Sequence, residues 1–400
     1  MRYDFDTVID RRGTYASKWD VGEGELPMTT ADMDFATCPE ILRALQARLD
    51  KGAFGYTDVP DAWKQACVRW WKERHGFEID PEWIVFSTGV VPTLSSCVRK
   101  LTTPAEHVLV LTPVYNIFFN SILNNGRVPL ECPLDYDGTS YTIPWERFEQ
   151  GLQDPQTSLL ILCNPHNPTG QIWDRETLRR IGALCKAHGV TVISDEIHCD
   201  LTDPGKQYVP FASVDEVCRD ISVTAVAPSK SFSIPGLQTS AVIVPEPHLR
   251  HRVWRALNTD ECGEPNAFAM DAAIAAWTQG DDWLDACRQK LYENKIRIRA
   301  FIAESIPEIR VLGSEATYLL WLDVSALTEN SRLLARYLRE RTGLILSAGE
   351  VYRGNGNAFL RMNAAYPASQ IEDGLARLKR GTDLWKASLM RSVARQTGKN

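Results

Sequence analysis

Ser158-Leu159-Leu160-Ile161-Leu162-Cys163-Asn164-Pro165-His166-Asn167-Pro168-Thr169-Gly170 decides how the chain is read. Its first six residues are an almost unbroken apolar run, too short for a typical helix and long enough for a strand buried on both faces. Its last seven are turn formers that cannot continue the strand. A helix follows. Asp174 can cap its start, Leu178, Ile181, Leu184 and Cys185 make one apolar stripe, and Gly189 stops it. Thr191–Ser194 is then a second buried strand. Strand, helix and strand in this order imply a parallel sheet covered by helices.

The same pattern extends in both directions. Val108–Leu111, Ile221–Ala225 and Ala241–Val244 read as further strands. Pro39–Asp50 and Asp61–His75 read as helices, closed by Gly52 and Gly76, and Pro92–Lys100 as another. From Asp281 an amphipathic helix runs to about Ser305. Beyond it come a strand at Tyr318–Asp323, a helix at Ser331–Arg341, strands at Leu344–Leu346 and Phe359–Asn363, and a last helix from about Ser369. The expected fold class is α/β, with two domains: a large α/β domain over residues 50–285, and a small α+β domain made of residues 1–49 with 286–400. Met1–Asp50 holds too little apolar material to fold alone, so it should pack on the small domain.

Composition bounds the function. The chain has 400 residues, 44% hydrophobic and 24% charged, with a formal net charge of −7. That balance argues against nucleic acid or an anionic membrane as a partner of the overall field. Arg250-His251-Arg252 is a local basic run, read as a solvated helix face. Met1–Asp10 lacks the apolar region of a signal peptide, and no apolar stretch is long enough for a membrane span. Ten cysteines are scattered without a C-x-x-C pair. They read as small core residues, so no disulfide framework and no metal are expected, and the expected compartment is the cytoplasm.

In open parallel sheets ligands bind beyond the carboxyl ends of the strands. Here those ends deliver an amide (Asn167), a carboxylate (Asp195, in Ser-Asp-Glu-Ile-His) and an amine (Lys230, in Ala-Pro-Ser-Lys). Ser87-Thr88-Gly89-Val90-Val91 leads into the helix at Pro92, and free N–H groups at a helix start suit a phosphate. Asp195 alone could be a helix cap, and Lys230 alone a solvated lysine. Together the four parts are what pyridoxal 5′-phosphate (PLP) needs: a lysine for its aldehyde, a carboxylate for its pyridine nitrogen, a donor for O3′ and a helix start for its phosphate.

The order Thr-Gly-Val-Val, Pro-Val-Tyr, Asn-Pro-His-Asn-Pro-Thr-Gly, Ser-Asp-Glu-Ile-His and Ala-Pro-Ser-Lys-Ser-Phe resembles the fold-type-I PLP enzymes of the aminotransferase class I/II superfamily. Finer features are similar to its MalY/PatB-type cystathionine β-lyase group: Ala31-Asp32-Met33-Asp34-Phe35, Phe54-Gly55-Tyr56-Thr57, Thr112–Gly126, His198, and Phe359-Leu360-Arg361-Met362-Asn363. The resemblance implies a mostly parallel sheet of the seven-stranded type. It implies that Lys230 is the Schiff-base lysine and Asp195 the partner of the pyridine nitrogen. Asn167 then donates to O3′, with His198 near it. Tyr115 stacks on the ring. The backbone of Gly89, Val90 and Val91 cradles the phosphate, and Arg361 grips the substrate carboxylate. Tyr56 reaches the phosphate of a neighbouring subunit, which implies a homodimer with active sites at the interface.

Two departures stand out. Ala227 occupies the place of a common serine or threonine phosphate ligand, and Ser231–Ser240 lacks a common arginine. Ser229, the glycine turn and Tyr56 are the expected substitutes. His166 and Cys199 read as motif filler, and Tyr352 as a neighbour of the substrate pocket. The implied reaction is α,β-elimination of L-cystathionine or a related cysteine S-conjugate to pyruvate, ammonia and a thiol. Transamination of an L-amino acid uses the same residues and remains an alternative. A PLP-binding regulatory protein without turnover is a further alternative, with no DNA-binding extension visible to support it.

Overall fold

The computed structural model describes residues 3–397. Its centre is a seven-stranded sheet in the order Ile84–Ser87, Ser240–Ile243, Ser222–Val226, Thr191–Asp195, Thr157–Cys163, His107–Thr112, Val128–Pro133. Ser240–Ile243 runs antiparallel to both neighbours, and the other pairings are parallel. The five strands expected from apolar runs are present, each within a residue or so of its expected ends. The two edge strands, Ile84–Ser87 and Val128–Pro133, were not anticipated. The first is four residues long, and the second is mostly half-buried, exposed only at its ends, and carries Pro129 and Pro133, as edge strands tolerate.

Because side chains alternate along a strand, each apolar run feeds two cores. Val108, Val110 and Ile161 face the helix Val90–Leu101, through Leu94, Cys97 and Val98. Leu109, Leu111, Leu160 and Leu162 face Phe148 and the helix Arg175–Ala187, through Leu178, Ile181 and Cys185. Asp174 caps that helix by accepting from the Thr177 N–H at 2.7 Å. Nine of the ten cysteines are buried, Cys262 being half-buried. A third core gathers Trp63, Trp70, Trp71, Trp277 and Trp283. Truncating any one of these indoles should cost roughly 3–5 kcal/mol.

The C-terminal part forms a four-stranded antiparallel sheet in the order Arg310–Val311, Leu319–Asp323, Phe359–Asn363, Ser347–Ala348. The helices Ser331–Thr342, Ala368–Thr397 and Asp281–Ser305 pack with it around their own core, which includes Ile298, Leu320, Leu338, Leu360 and Ile371. Leu344–Ile345 does not join that sheet. It pairs in parallel with Leu26–Pro27 and so fastens the N-terminal segment there. Farther on, the helix Pro39–Leu49 packs against Ala269–Gln279 instead. No helix among the described residues is long and apolar enough to cross a membrane.

Candidate active site

The carboxyl ends of the central strands open on a cavity of about 250 Å³. Lys230, Asp195, Asn167, His198 and Tyr115 line it, together with the turn Gly89–Val91. Of the residues expected to hold cofactor or substrate, only Arg361 and Tyr56 are not among those that line it. Arg361 does not itself line the cavity. It stands on Phe359–Asn363 and donates through Nη1 to Asn167 Oδ1 at 3.1 Å. Tyr56 is fully exposed, in a segment without helix or strand, and is not among the lining residues.

Asp195 ends its strand and is buried. Among the described residues its carboxylate accepts one hydrogen bond, from the Ile197 N–H at 3.2 Å. Burial raises its carboxyl to about 7, against small lowering effects from that N–H and from Lys230. Such a carboxylate needs a cation or an N–H before it can ionise cheaply. Its neighbour Glu196 points into another core, where it accepts from Ser194 Oγ at 2.7 Å, the Phe211 N–H at 2.9 Å and the Tyr208 hydroxyl. Lys230 sits in the short turn of helix Pro228–Ser231 and donates to the Ala31 carbonyl at 2.6 Å. Desolvation pulls its amine down to about 8, partly opposed by Asp32. His198 is buried beside it and held neutral, at about 3, by desolvation and by the positive Lys230 and Arg361.

The arginine is held in place before any ligand is considered. Nη2 donates to the Thr29 carbonyl at 2.9 Å, and the guanidinium lies 5.0 Å from the Tyr352 ring centre. Tyr352, read from the sequence as a neighbour of the substrate pocket, is a neighbour of the arginine and does not itself line the cavity. His166 donates to or accepts from Thr169 Oγ1 at 2.9 Å and supports the turn. Cys199 lies away from the cavity, near His75 and Asp200. There the Asp200 carboxylate is filled by Trp70 Nε1, His75 Nε2 and Ser231 Oγ at 2.7–2.9 Å, which steadies the residue after Lys230.

Gly89 caps Val90–Leu101 in an extended conformation, where a Cβ would press Pro92 Cδ at 3.2 Å. Ser229 lines the cavity, as anticipated, beside Ala227's missing hydroxyl. Thr88, Gln238 and Thr239 also line it, and these were not anticipated. Thr239 Oγ1, His198 Nδ1 and Arg361 Nε are buried without a hydrogen-bond partner. A buried hydroxyl at the cavity, a buried carboxyl with one N–H donor and an amine at lowered basicity fit PLP's phosphate, ring nitrogen and aldehyde respectively.

The profile of the aminotransferase class I and II family matches residues 23–378, and the chain belongs to that family. Its fold is that of the fold-type-I PLP enzymes. Cystathionine beta-lyase PatB of Bacillus subtilis (strain 168) is 42% identical over 382 residues, 94% of this chain and 99% of the relative. Protein MalY of Escherichia coli (strain K12) is 34% identical, over 94% of this chain and 98% of its own length. Among solved structures, cystalysin from Treponema denticola, which contains a pyridoxal 5′-phosphate cofactor, superposes with a TM-score of 0.92 at 32% identity, covering 96% of this chain and 99% of the other.

Proposed function

We propose that this chain is a PLP-dependent carbon–sulfur β-lyase that cleaves L-cystathionine or a related cysteine S-conjugate, with water, into pyruvate, ammonia and a thiol. The reading is carried by one observation: Lys230, Asp195 and Asn167 meet at a single cavity. The 42% identity to a protein named cystathionine beta-lyase supports elimination over transamination.

PLP, when bound, supplies an electron sink for charge that develops at the substrate Cα. Asp195 holds a proton at the ring nitrogen, and its burial makes that ion pair strong. Asn167 donates its amide N–H to the ring oxygen, because its Oδ1 is already engaged by Arg361. Tyr115, which lines the cavity, would stack on the ring. The N–H groups of Gly89–Val91 bind the phosphate, with Ser229 and Thr239 as hydroxyl donors. Arg361 orients the substrate by its α-carboxylate through a two-pronged contact. Lys230, with its amine lowered to about 8, takes the Cα proton near neutral pH. The pair left at Cα closes a Cα=Cβ bond as the Cβ–S pair of electrons leaves with sulfur as a thiolate, and water then releases the three-carbon product as pyruvate and ammonia.

The working unit is a homodimer in which Tyr56 of each chain completes the partner's phosphate site. Supporting this, Tyr56 is fully exposed and does not line its own chain's cavity. The division into a large domain, 50–285, and a small one, 1–49 with 286–400, is supported for the C-terminal sheet by its separate core, which takes in Trp19, Leu26 and Met28, whereas Phe5, Met33, Phe35 and the helix Pro39–Leu49 pack on the large domain. Its ten thiols, nine of them buried, support a cytoplasmic location.

Purified protein loaded with PLP and given L-cystathionine alone tests the reaction. Pyruvate and a free thiol are expected in equal amounts with no 2-oxo acid added. A strict requirement for a 2-oxo acid acceptor would identify an aminotransferase instead.

A further inference from the structure

The backbone from Thr29 to Met33 is held through five consecutive carbonyls, each accepting from a side chain. Thr29 takes Arg361 Nη2 at 2.9 Å, and Thr30 takes Asn363 Nδ2 at 2.7 Å. Asp32 takes Asn363 Nδ2 at 2.8 Å and Lys18 Nζ at 3.1 Å. Met33 takes Ser233 Oγ at 3.2 Å and Arg11 Nη1 at 3.4 Å. Ala31, the member of this run that lines the cavity, takes Lys230 Nζ at 2.6 Å and the Tyr318 hydroxyl at 2.9 Å.

A carbonyl oxygen has two lone pairs, and both are used at Ala31. Tyr318 is fully buried. Burial pushes its hydroxyl well above the ordinary range, so it remains a donor. The charged groups that face Lys230 are Asp32 and Asp195 on one side of the balance and Arg361 and Lys18 on the other, with neutral His198 beside them. Lys18 is itself spent on Asp32 and Asp34, at 3.0 and 2.5 Å. An ammonium has three N–H groups to satisfy, whereas a neutral amine has two and a free lone pair. A shared acceptor already polarised by a phenol serves the neutral amine better than the ammonium.

We propose that Tyr318 is a positioning residue for Lys230: by filling one lone pair of the Ala31 carbonyl, its hydroxyl fixes where the lysine amine rests when it is off the cofactor and keeps that amine in its neutral, proton-accepting form. The inference rests on the reading of Lys230 as the cofactor lysine and base. It gives the Ala31–Phe35 stretch a task that its side chains do not advertise, since the contact is to backbone.

The test uses full-length apoprotein, wild type and Tyr318→Phe, mixed with PLP at a series of pH values. The rise of visible absorbance reports the combination of a neutral amine with the cofactor. The midpoint of this rate profile should move up by about half to one pH unit in Tyr318→Phe, the scale of one hydrogen bond. Well above both midpoints the two proteins should take up PLP equally fast. In the lyase assay the acid limb of kcat, where the lysine is off the cofactor, should move in the same direction. A merely structural tyrosine would lower Tm and leave the midpoint in place. Should Tyr318→Phe fail to fold, 3-fluorotyrosine at position 318 keeps the shape and strengthens the donor, and the midpoint should move to lower pH. An unmoved midpoint in the variant that folds overturns the proposal. A moved midpoint in a protein that does not cleave cystathionine keeps the proposal and removes the reaction.

Discussion

Arg361 and Asn167 are joined by a 3.1 Å hydrogen bond from guanidinium to amide oxygen, across 194 residues of sequence. The bond links the C-terminal sheet to the loop after Thr157–Cys163. It leaves the Asn167 N–H₂ group free to face the cavity, and it fixes one edge of the guanidinium. The residue assigned to the substrate and one assigned to the cofactor therefore share a geometry.

Arg361→Ala should raise KM for cystathionine by roughly 10- to 100-fold, the worth of a charge-assisted buried contact. Arg361→Lys should recover little, because an ammonium cannot reproduce the fork. Steady-state kinetics with the visible cofactor band as a control checks this. An unchanged KM in Arg361→Ala removes the carboxylate role.

Asp195 gives a pH signature in the apoprotein. Its folded value, about 7, lies above the unfolded one, so its contribution is fully present below about pH 4 and is lost as pH rises through 7. Asp195→Asn never ionises. The apo variant should gain on the wild type between those pH values, by roughly 2–4 kcal/mol near pH 8. Glu196, also raised, to about 8, owes this mainly to its own burial and only last to Asp195, so most of its contribution is common to both proteins. With PLP present the order should reverse, because the variant cannot pair with a protonated ring nitrogen. Thermal unfolding at several pH values decides it, and a difference that stays flat with pH contradicts the account.

Much of the sheet was legible because buried parallel strands leave continuous apolar runs, and much of the site because Asn167, Asp195 and Lys230 follow such runs directly. Of the two edge strands, Ile84–Ser87 does leave a short apolar run, Trp83-Ile84-Val85-Phe86, which was not anticipated as a strand, whereas Val128–Pro133 leaves none, because Pro129, Glu131 and Pro133 interrupt it. Tyr318 was read only as the start of a strand, since nothing in sequence signals a hydroxyl aimed at a distant carbonyl. Thr239 lay inside the stretch noted for lacking an arginine, and only its burial without a partner draws attention to it.

Gly170 ends the Asn-Pro-His-Asn-Pro-Thr-Gly turn at φ 71°, and a Cβ there would stand 2.2 Å from Ser314 Oγ and 2.7 Å from the Ala316 carbonyl. Its own carbonyl accepts the N–H groups of Glu315 and Ala316, both at 2.9 Å. Gly170→Ala should therefore cost about 2–4 kcal/mol and weaken PLP binding by displacing Asn167. Denaturant unfolding and cofactor titration measure the two effects, and a loss below about 0.5 kcal/mol would show that the turn has slack.

Subunit mixing tests the shared site. Lys230→Ala and Tyr56→Ala should each be impaired as pure proteins. In a hybrid dimer, one site has Lys230 from one chain and Tyr56 from the other. Equal mixing after dissociation and reassociation makes half the dimers hybrid, so activity should return to about a quarter of wild type. No recovery beyond the sum of the two pure variants would place Tyr56 outside the partner's site.

Borohydride reduction of the PLP-loaded protein, followed by mass spectrometry of its peptides, asks most directly whether the amine at this cavity is the cofactor's anchor. The added pyridoxyl phosphate mass should sit on the peptide that contains Lys230 and disappear in Lys230→Ala. Attachment at any other lysine, or none, would contradict the account.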